Sequence, residues 1–199
     1  MHERFGVLTL SRSTFDSACA DLLNRVEHDY RPDMLIGIRT GGLAVAEAMA
    51  RASGRPLPVA AVTCRRLGTA AKRHVPWLAS LVAALPLTLA DALRIAELHL
   101  LSPRRARGGR RRVDAAEIAG IGARLGAGSQ PVRLLVVDDA VDTGVTLASV
   151  MHALRDAYPE ATLRSAVITV TLRSPLLKPD FALYQEVVCR FPWSLDAAR

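Results

Sequence analysis

Short apolar runs alternate along the chain with segments in which apolar positions recur every three or four residues. Phe15, Ala18, Leu22, Leu23 and Val26 fall on one helical face behind Ser11 and Ser13, either of which can cap a helix running to about His28. Residues 34–38 form a short apolar strand that enters the pair Gly41-Gly42. A helix over 43–52 follows and ends near Ser53-Gly54. Further strands are expected at 58–64, at 133–137 leading into Asp138-Asp139, over 163–172 and, more weakly, over 181–188. Another helix is expected over 146–158. Strands alternating with helices predict an α/β fold, a mostly parallel twisted sheet with helices on both faces. Ligands of such sheets sit at the carboxyl ends of the strands, where both glycine-bearing loops fall.

Residues 65–130 interrupt the alternation. Helical patterns over 77–85 and 87–101 precede a basic run of Arg104, Arg105, Arg107, Arg110, Arg111 and Arg112, and another helix over 114–125 follows. Gly126, Gly128, Ser129 and Pro131 close the excursion, which is too long for a structureless loop and predicts a helical insert or flap. Its apolar residues suit a private core or a dimer partner equally. His74 and Trp77 read as packing or surface residues. The arginines suit a lid over an anion, a solvated loop or a nucleic-acid contact. The length of 199 residues fits one domain carrying this insert.

A hydrophobic share of 50% argues against intrinsic disorder. No apolar run reaches the ~18 to 20 residues needed to span a bilayer, because Pro86, Asp91, Arg94 and Glu97 interrupt the longest one. His2, Glu3 and Arg4 precede too short an apolar stretch for a signal peptide, so none is expected. Cys19, Cys64 and Cys189 are widely spaced, match neither a metal site nor a disulfide framework, and suit a reducing, cytoplasmic setting. A net charge of +7 and a pI near 10.1 favour anionic partners without choosing among nucleic acid, lipid and polyphosphate.

The chemistry concentrates in residues 134–147. Two carboxylates, Asp138 and Asp139, end an apolar strand, where burying unpaired charge would be costly. They need solvent, a cation or a polyol, and vicinal hydroxyls are natural partners. Asp142-Thr143-Gly144-Val145-Thr146 then opens a helix. Successive loop amides and the positive helix end make a phosphate cradle there. Diol acceptors beside a phosphate nest fit a pentose 5-phosphate. A plain helix cap at Asp142 or Thr143 would leave the acid pair unexplained.

This stretch resembles the phosphoribosyl diphosphate (PRPP) signature of the type I phosphoribosyltransferases: four apolar residues, two acids, two variable positions and Asp-Thr-Gly-x-Thr. The resemblance implies that Asp138 and Asp139 hold the ribose 2′ and 3′ hydroxyls and that Asp142 manages the acceptor proton. Thr143, Gly144, Val145 and Thr146 would hold the 5-phosphate; Val145 stands where many members have Gly and contributes mainly its backbone N–H. Residues 36–43 (IGIRTGGL) look like the family's pyrophosphate loop, with Arg39 supplying charge and Thr40 and Gly41 supplying amides. Lys178-Pro179-Asp180-Phe181 and Phe191-Pro192-Trp193 resemble the tail of the xanthine-guanine and hypoxanthine branch, whose C-terminal hood binds the base; the hood here would span about 173–199.

Two departures affect the acceptor. Arg173 is the best counterpart of the lysine with which that branch reads the purine carbonyl, Lys178 being the alternative if the hood backbone is rearranged, and Val188 stands where the branch has the stacking aromatic ring. By resemblance the chain is expected to use Mg²⁺ carried mainly by PRPP, with Asp138 and Asp139 nearby, to take a small nitrogenous acceptor and to form a homodimer. The alternative expectation is a PRPP- or nucleotide-sensing regulatory protein on the same scaffold, touching RNA through the arginine run.

Overall fold

The computed structural model describes residues 6–66, 111–125 and 132–194. The sequence-predicted helices over 77–85 and 87–101, His74, Trp77 and the arginines from Arg104 to Arg110 lie outside them. At the centre is a 5-stranded parallel sheet of order β3-β2-β6-β7-β8. Its strands are β2 (Met34–Ile38), β3 (Val59–Val62), β6 (Arg133–Val141), β7 (Thr162–Val170) and β8 (Phe181–Gln185). Every residue of β2 is buried, as a strand covered on both faces requires.

Alternate strand residues feed two separate cores. Leu35, Leu135, Val137, Ala166 and Ile168 pack with helices α1 (Arg12–Asp29) and α2 (Gly41–Ala52) on one face. Met34, Ile36, Leu134, Val136 and Val167 pack on the other with α3 (Ala115–Leu125) and α4 (Val145–Ala157). The Ser11 hydroxyl caps α1 by accepting from the Thr14 N–H at 3.2 Å. At the other end of α1, the Tyr30 hydroxyl lies 2.7 Å from the Thr162 carbonyl and 3.1 Å from that of Leu134, and burial pushes its pKa up. Gly37 lets α2 close on β2, since a Cβ there would stand 2.5 Å from the Leu43 Cα.

Two small ribbons were not predicted. β1 (Gly6–Thr9) pairs in parallel with β9 (Val187–Arg190), and β4 (Cys64–Arg66) pairs antiparallel with β5 (Arg111–Val113). The second ribbon stands at both ends of the excursion, so Arg111 and Arg112, expected in a loop, are strand residues. The expected strand over 181–188 is broken in two at Glu186, whose φ of 58° turns the chain away from β7 and towards β1. The strand expected to stop at Val137 continues to Val141, because β7 offers a full ladder: Asp138 pairs with Val167 and Ala140 with Thr169. The C-terminal aromatic residues serve packing. Phe191 and Trp193 stack at 5.0 Å, with Phe15 of α1 set edge-on to both.

Candidate active site

The site lies where β2 and β6 end and α2 and α4 begin. Asp138 is buried, 9% exposed, and Asp139 is half-buried. Of the solvent, cation or polyol expected to meet the pair, bulk solvent is the one that Asp138 scarcely reaches. The cause is α2: a Cβ on Gly41 would fall 2.0 Å from Asp139 Oδ2, and one on Gly42 would fall 2.4 Å from the Val137 carbonyl oxygen. The glycine pair brings the helix start down onto the two carboxylates. Local amides satisfy part of the acids, with Asp139 N–H donating to Asp138 Oδ1 (3.0 Å) and Ala140 N–H to Asp139 Oδ1 (2.9 Å). Burial, followed by the mutual charge of the pair, pushes the Asp138 carboxyl well above the usual range; burial also raises Asp139. Two acids held close in a dry corner favour a proton, a cation or a hydroxyl donor between them.

Asp142 projects from the loop beyond β6. Its Oδ1 accepts from the Thr171 hydroxyl at 2.5 Å, while Thr171 N–H donates to the Val141 carbonyl at 2.9 Å. Thr171 thus fixes both loop and carboxylate. It was missed in the sequence because nothing in its spacing relates it to 142; its place one step beyond β7 was the available clue. Gly144 caps α4 with a φ of 74°, and a Cβ there would meet the Leu177 N at 2.7 Å. Segment 176–177 closes one side of the loop, with Leu176 N–H donating to the Thr143 carbonyl at 2.8 Å. Thr143, Val145 and Thr146 are half-buried around the first turn, whose leading amides have no intrahelical acceptors.

Arg39 and Thr40 lie between β2 and α2, joined by a cis peptide, and Thr40 is the N-cap of α2 without a side-chain cap bond. The Arg39 guanidinium is half-exposed and contacts Glu117 of α3, Nε to Oε1 at 3.4 Å. Glu117 also accepts from the Thr63 N–H at 2.5 Å, so it joins α3 to the β3–β4 junction. Arg39, Glu47, Glu117 and Arg124 border a cavity of about 340 Å³ between α2, β3 and α3.

The acceptor-side candidates stand apart. Arg173 follows β7, is largely exposed and pairs with Glu186, Nε to Oε1 at 3.1 Å. Val188 is buried on β9, opposite Val7. Asp180 is tied back to β7, accepting from the Ser165 N–H (2.8 Å) and hydroxyl (2.7 Å). Glu117 and Glu186, the partners of the two exposed arginines, were not singled out from the sequence.

Residues 110–193 match the phosphoribosyl transferase domain family. No curated protein matches the chain. Among solved structures, the chain is similar to a purine phosphoribosyltransferase from Pyrococcus horikoshii Ot3, at 18% identity, TM-score 0.59, covering 96% of this chain and 95% of that one. It is similar to the Helicobacter pylori xanthine-guanine-hypoxanthine phosphoribosyltransferase at 16% identity, TM-score 0.58, covering 96% of each chain. A hypothetical protein from Neisseria gonorrhoeae with bound ppGpp aligns at 14% identity, TM-score 0.57, over 96% of this chain and 91% of that one. At these identities the structural likenesses speak for the fold, and the sequence match covers the strand–loop–helix that carries the acids. The fold is that of the type I phosphoribosyltransferases, and residues 110–193 carry the match to the phosphoribosyl transferase domain family.

Proposed function

We propose that the protein transfers a 5-phosphoribosyl group from PRPP to a nitrogenous acceptor, a purine-like base, with release of pyrophosphate. The supporting observation is the convergence of Asp138, Asp139 and Asp142 at one strand end, between the open first turn of α4 and the glycine-bearing start of α2. In this reading Asp138 and Asp139 accept from the ribose 2′ and 3′ hydroxyls, which relieves the charge crowding of the buried pair. The amides of Thr143, Gly144, Val145 and Thr146, with the two threonine hydroxyls, hold the 5-phosphate. Arg39, with the amides of Thr40 and Gly41, holds the diphosphate; the guanidinium is half-exposed and its Glu117 contact is long enough to exchange for a phosphate oxygen.

During the reaction the bond from ribose C1 to the diphosphate oxygen breaks, and its electron pair leaves with pyrophosphate. Positive charge develops on the sugar, where the three carboxylates stabilise it. The acceptor nitrogen forms the new bond to C1 and gives its proton to Asp142, oriented by Thr171. The crowded carboxylates Asp138 and Asp139 also fit a divalent cation shared with the substrate. Bound Mg²⁺ would offset charge on the diphosphate while keeping several waters. Arg173 would donate to an acceptor carbonyl, and Val188 would give the acceptor site an apolar wall. The purine acceptors for which the Pyrococcus and Helicobacter proteins are named support a purine as first choice. A second copy of the chain and a cytoplasmic setting go with this reading. No helix among the described residues is long and apolar enough to cross a membrane.

The test is pyrophosphate release from Mg-PRPP across purines, pyrimidines and other nitrogen acceptors, with release expected for a purine. Tight PRPP binding without release for any acceptor would favour the second reading, a PRPP- or nucleotide-sensing protein. That alternative draws support from the engagement of Arg173 by Glu186, the lack of an aromatic ring at Val188 and the ppGpp-bound Neisseria neighbour. RNA affinity that falls steeply with salt would extend it to the arginine run.

A further inference from the structure

The loop assigned to the phosphate has a charge problem. Asp138, Asp139 and Asp142 surround its start, and no Lys, Arg or His occurs from 138 to 151. A phosphomonoester adds about −1.5 to −2 charges at neutral pH. Loop amides and a helix dipole worth about half a charge leave that excess largely uncompensated. A guanidinium from elsewhere would offset it. Arg39 lies on the α2 side, where the reading above gives it to the diphosphate, and Arg173 is engaged by Glu186.

Arg111 is placed differently. β5 pairs with β4 so that Val113 faces Cys64 and Arg111 faces Arg66 in register. Val113 and Cys64 pack against the cluster containing Leu147, Val150 and Met151, which sets the inner side of the ribbon on α4. Strand alternation puts Arg111 on that same side, about 6 to 7 Å further along the ribbon. β5 packs directly on α4, so this displacement keeps Arg111 beside that helix. Arg111 is half-buried, and its Nε is fully buried with no hydrogen-bond partner. Buried N–H groups without an acceptor are rare in folded proteins and call for an explanation. The charge of Arg111 also acts on the Cys64 thiol, as does that of Asp138, so the three share one neighbourhood.

We propose that Arg111 is the cationic ligand of the phosphate held at the first turn of α4, carried to the site by the strand that returns from the excursion. The proposal rests on the reading of that loop as a ribose 5-phosphate site. It gives the orphaned Nε–H an acceptor and makes Arg111 a binding residue that the signature loop itself lacks.

Calorimetric titration with ribose 5-phosphate and, separately, with Mg-pyrophosphate tests it on the full chain. Arg111→Gln should weaken ribose 5-phosphate by about 10-fold or more while leaving Mg-pyrophosphate within about two-fold. Arg111→Lys should recover part of the loss. Arg112→Gln removes the same charge from the exposed side of the same strand and should leave both ligands nearly unchanged. Unaltered ribose 5-phosphate binding by Arg111→Gln, or equal losses in the Arg111 and Arg112 variants, would overturn the proposal. So would a large fall in melting temperature for both Arg111→Gln and Arg111→Met, which would make the residue structural. Failure of the unsubstituted protein to bind ribose 5-phosphate would instead remove the reading on which the proposal rests.

Discussion

The proposed phosphoribosyl side and the proposed acceptor side of the site are built on opposite plans. On the phosphoribosyl side one uninterrupted segment, 138–146, carries the acids and the phosphate loop. It is clamped between two helix starts and relies on main-chain groups and on buried carboxylates of raised pKa. On the acceptor side Arg173 and Val188 come from the ends of separate strands, and the one charged group is exposed and ion-paired with Glu186. A rigid, charge-crowded corner suits a ligand whose chemistry does not vary. A wall made of an exposed ion pair and an aliphatic residue can change at little cost to the fold, since exposed pairs are worth about 0 to 1 kcal/mol.

The largest effect is expected at Asp142. Asp142→Asn keeps the size of the side chain and an acceptor for the Thr171 hydroxyl, so PRPP binding should survive while turnover drops by ~10²-fold or more. Isothermal titration paired with single-turnover kinetics separates the two quantities. Equal losses in both would assign Asp142 to binding and erase the distinction between a fixed sugar side and a chemical centre.

Asp138→Asn comes next and acts in two opposite directions. It removes charge-assisted acceptors for the ribose hydroxyls, so PRPP affinity should fall by roughly 10- to 100-fold. In the free protein it should stabilise. A carboxyl whose folded pKa is raised holds its proton more tightly folded than unfolded. Its contribution is complete below the ordinary value of 3.8 and is lost as pH rises through the folded pKa. The melting temperature of the unsubstituted protein should therefore decline relative to Asp138→Asn as pH is raised from about 4 towards neutrality. Parallel curves would show that the acid pair is not crowded.

The smallest effect belongs to the acceptor side. Glu186→Gln releases Arg173 from its ion pair and should leave melting within about 1 kcal/mol, as exposed pairs do. The change should be confined to the acceptor KM, a few-fold in either direction by acceptor, with PRPP affinity constant. A shift in PRPP affinity would mean that the two sides are coupled.

Periodicity along the chain was enough to place α1, α2 and α4, the central strands and the acid-rich loop, because apolar spacing and glycine position are local properties. Residues 138–146 were legible for the same reason: contiguous chemistry needs no knowledge of what lies across the fold. The sequence alone did not show that α2 would press Gly41 and Gly42 onto the two aspartates and bury them, since that depends on how closely a helix packs on a strand. Nor did it show that Thr171 would hold Asp142, that Glu117 and Glu186 would engage the arginines, or that β5 would carry Arg111 alongside α4. Local pattern decides which segments form and what groups they offer. Burial, ion pairing and the meeting of distant side chains are long-range electrostatic and packing effects, and they exist only once the sheet has closed.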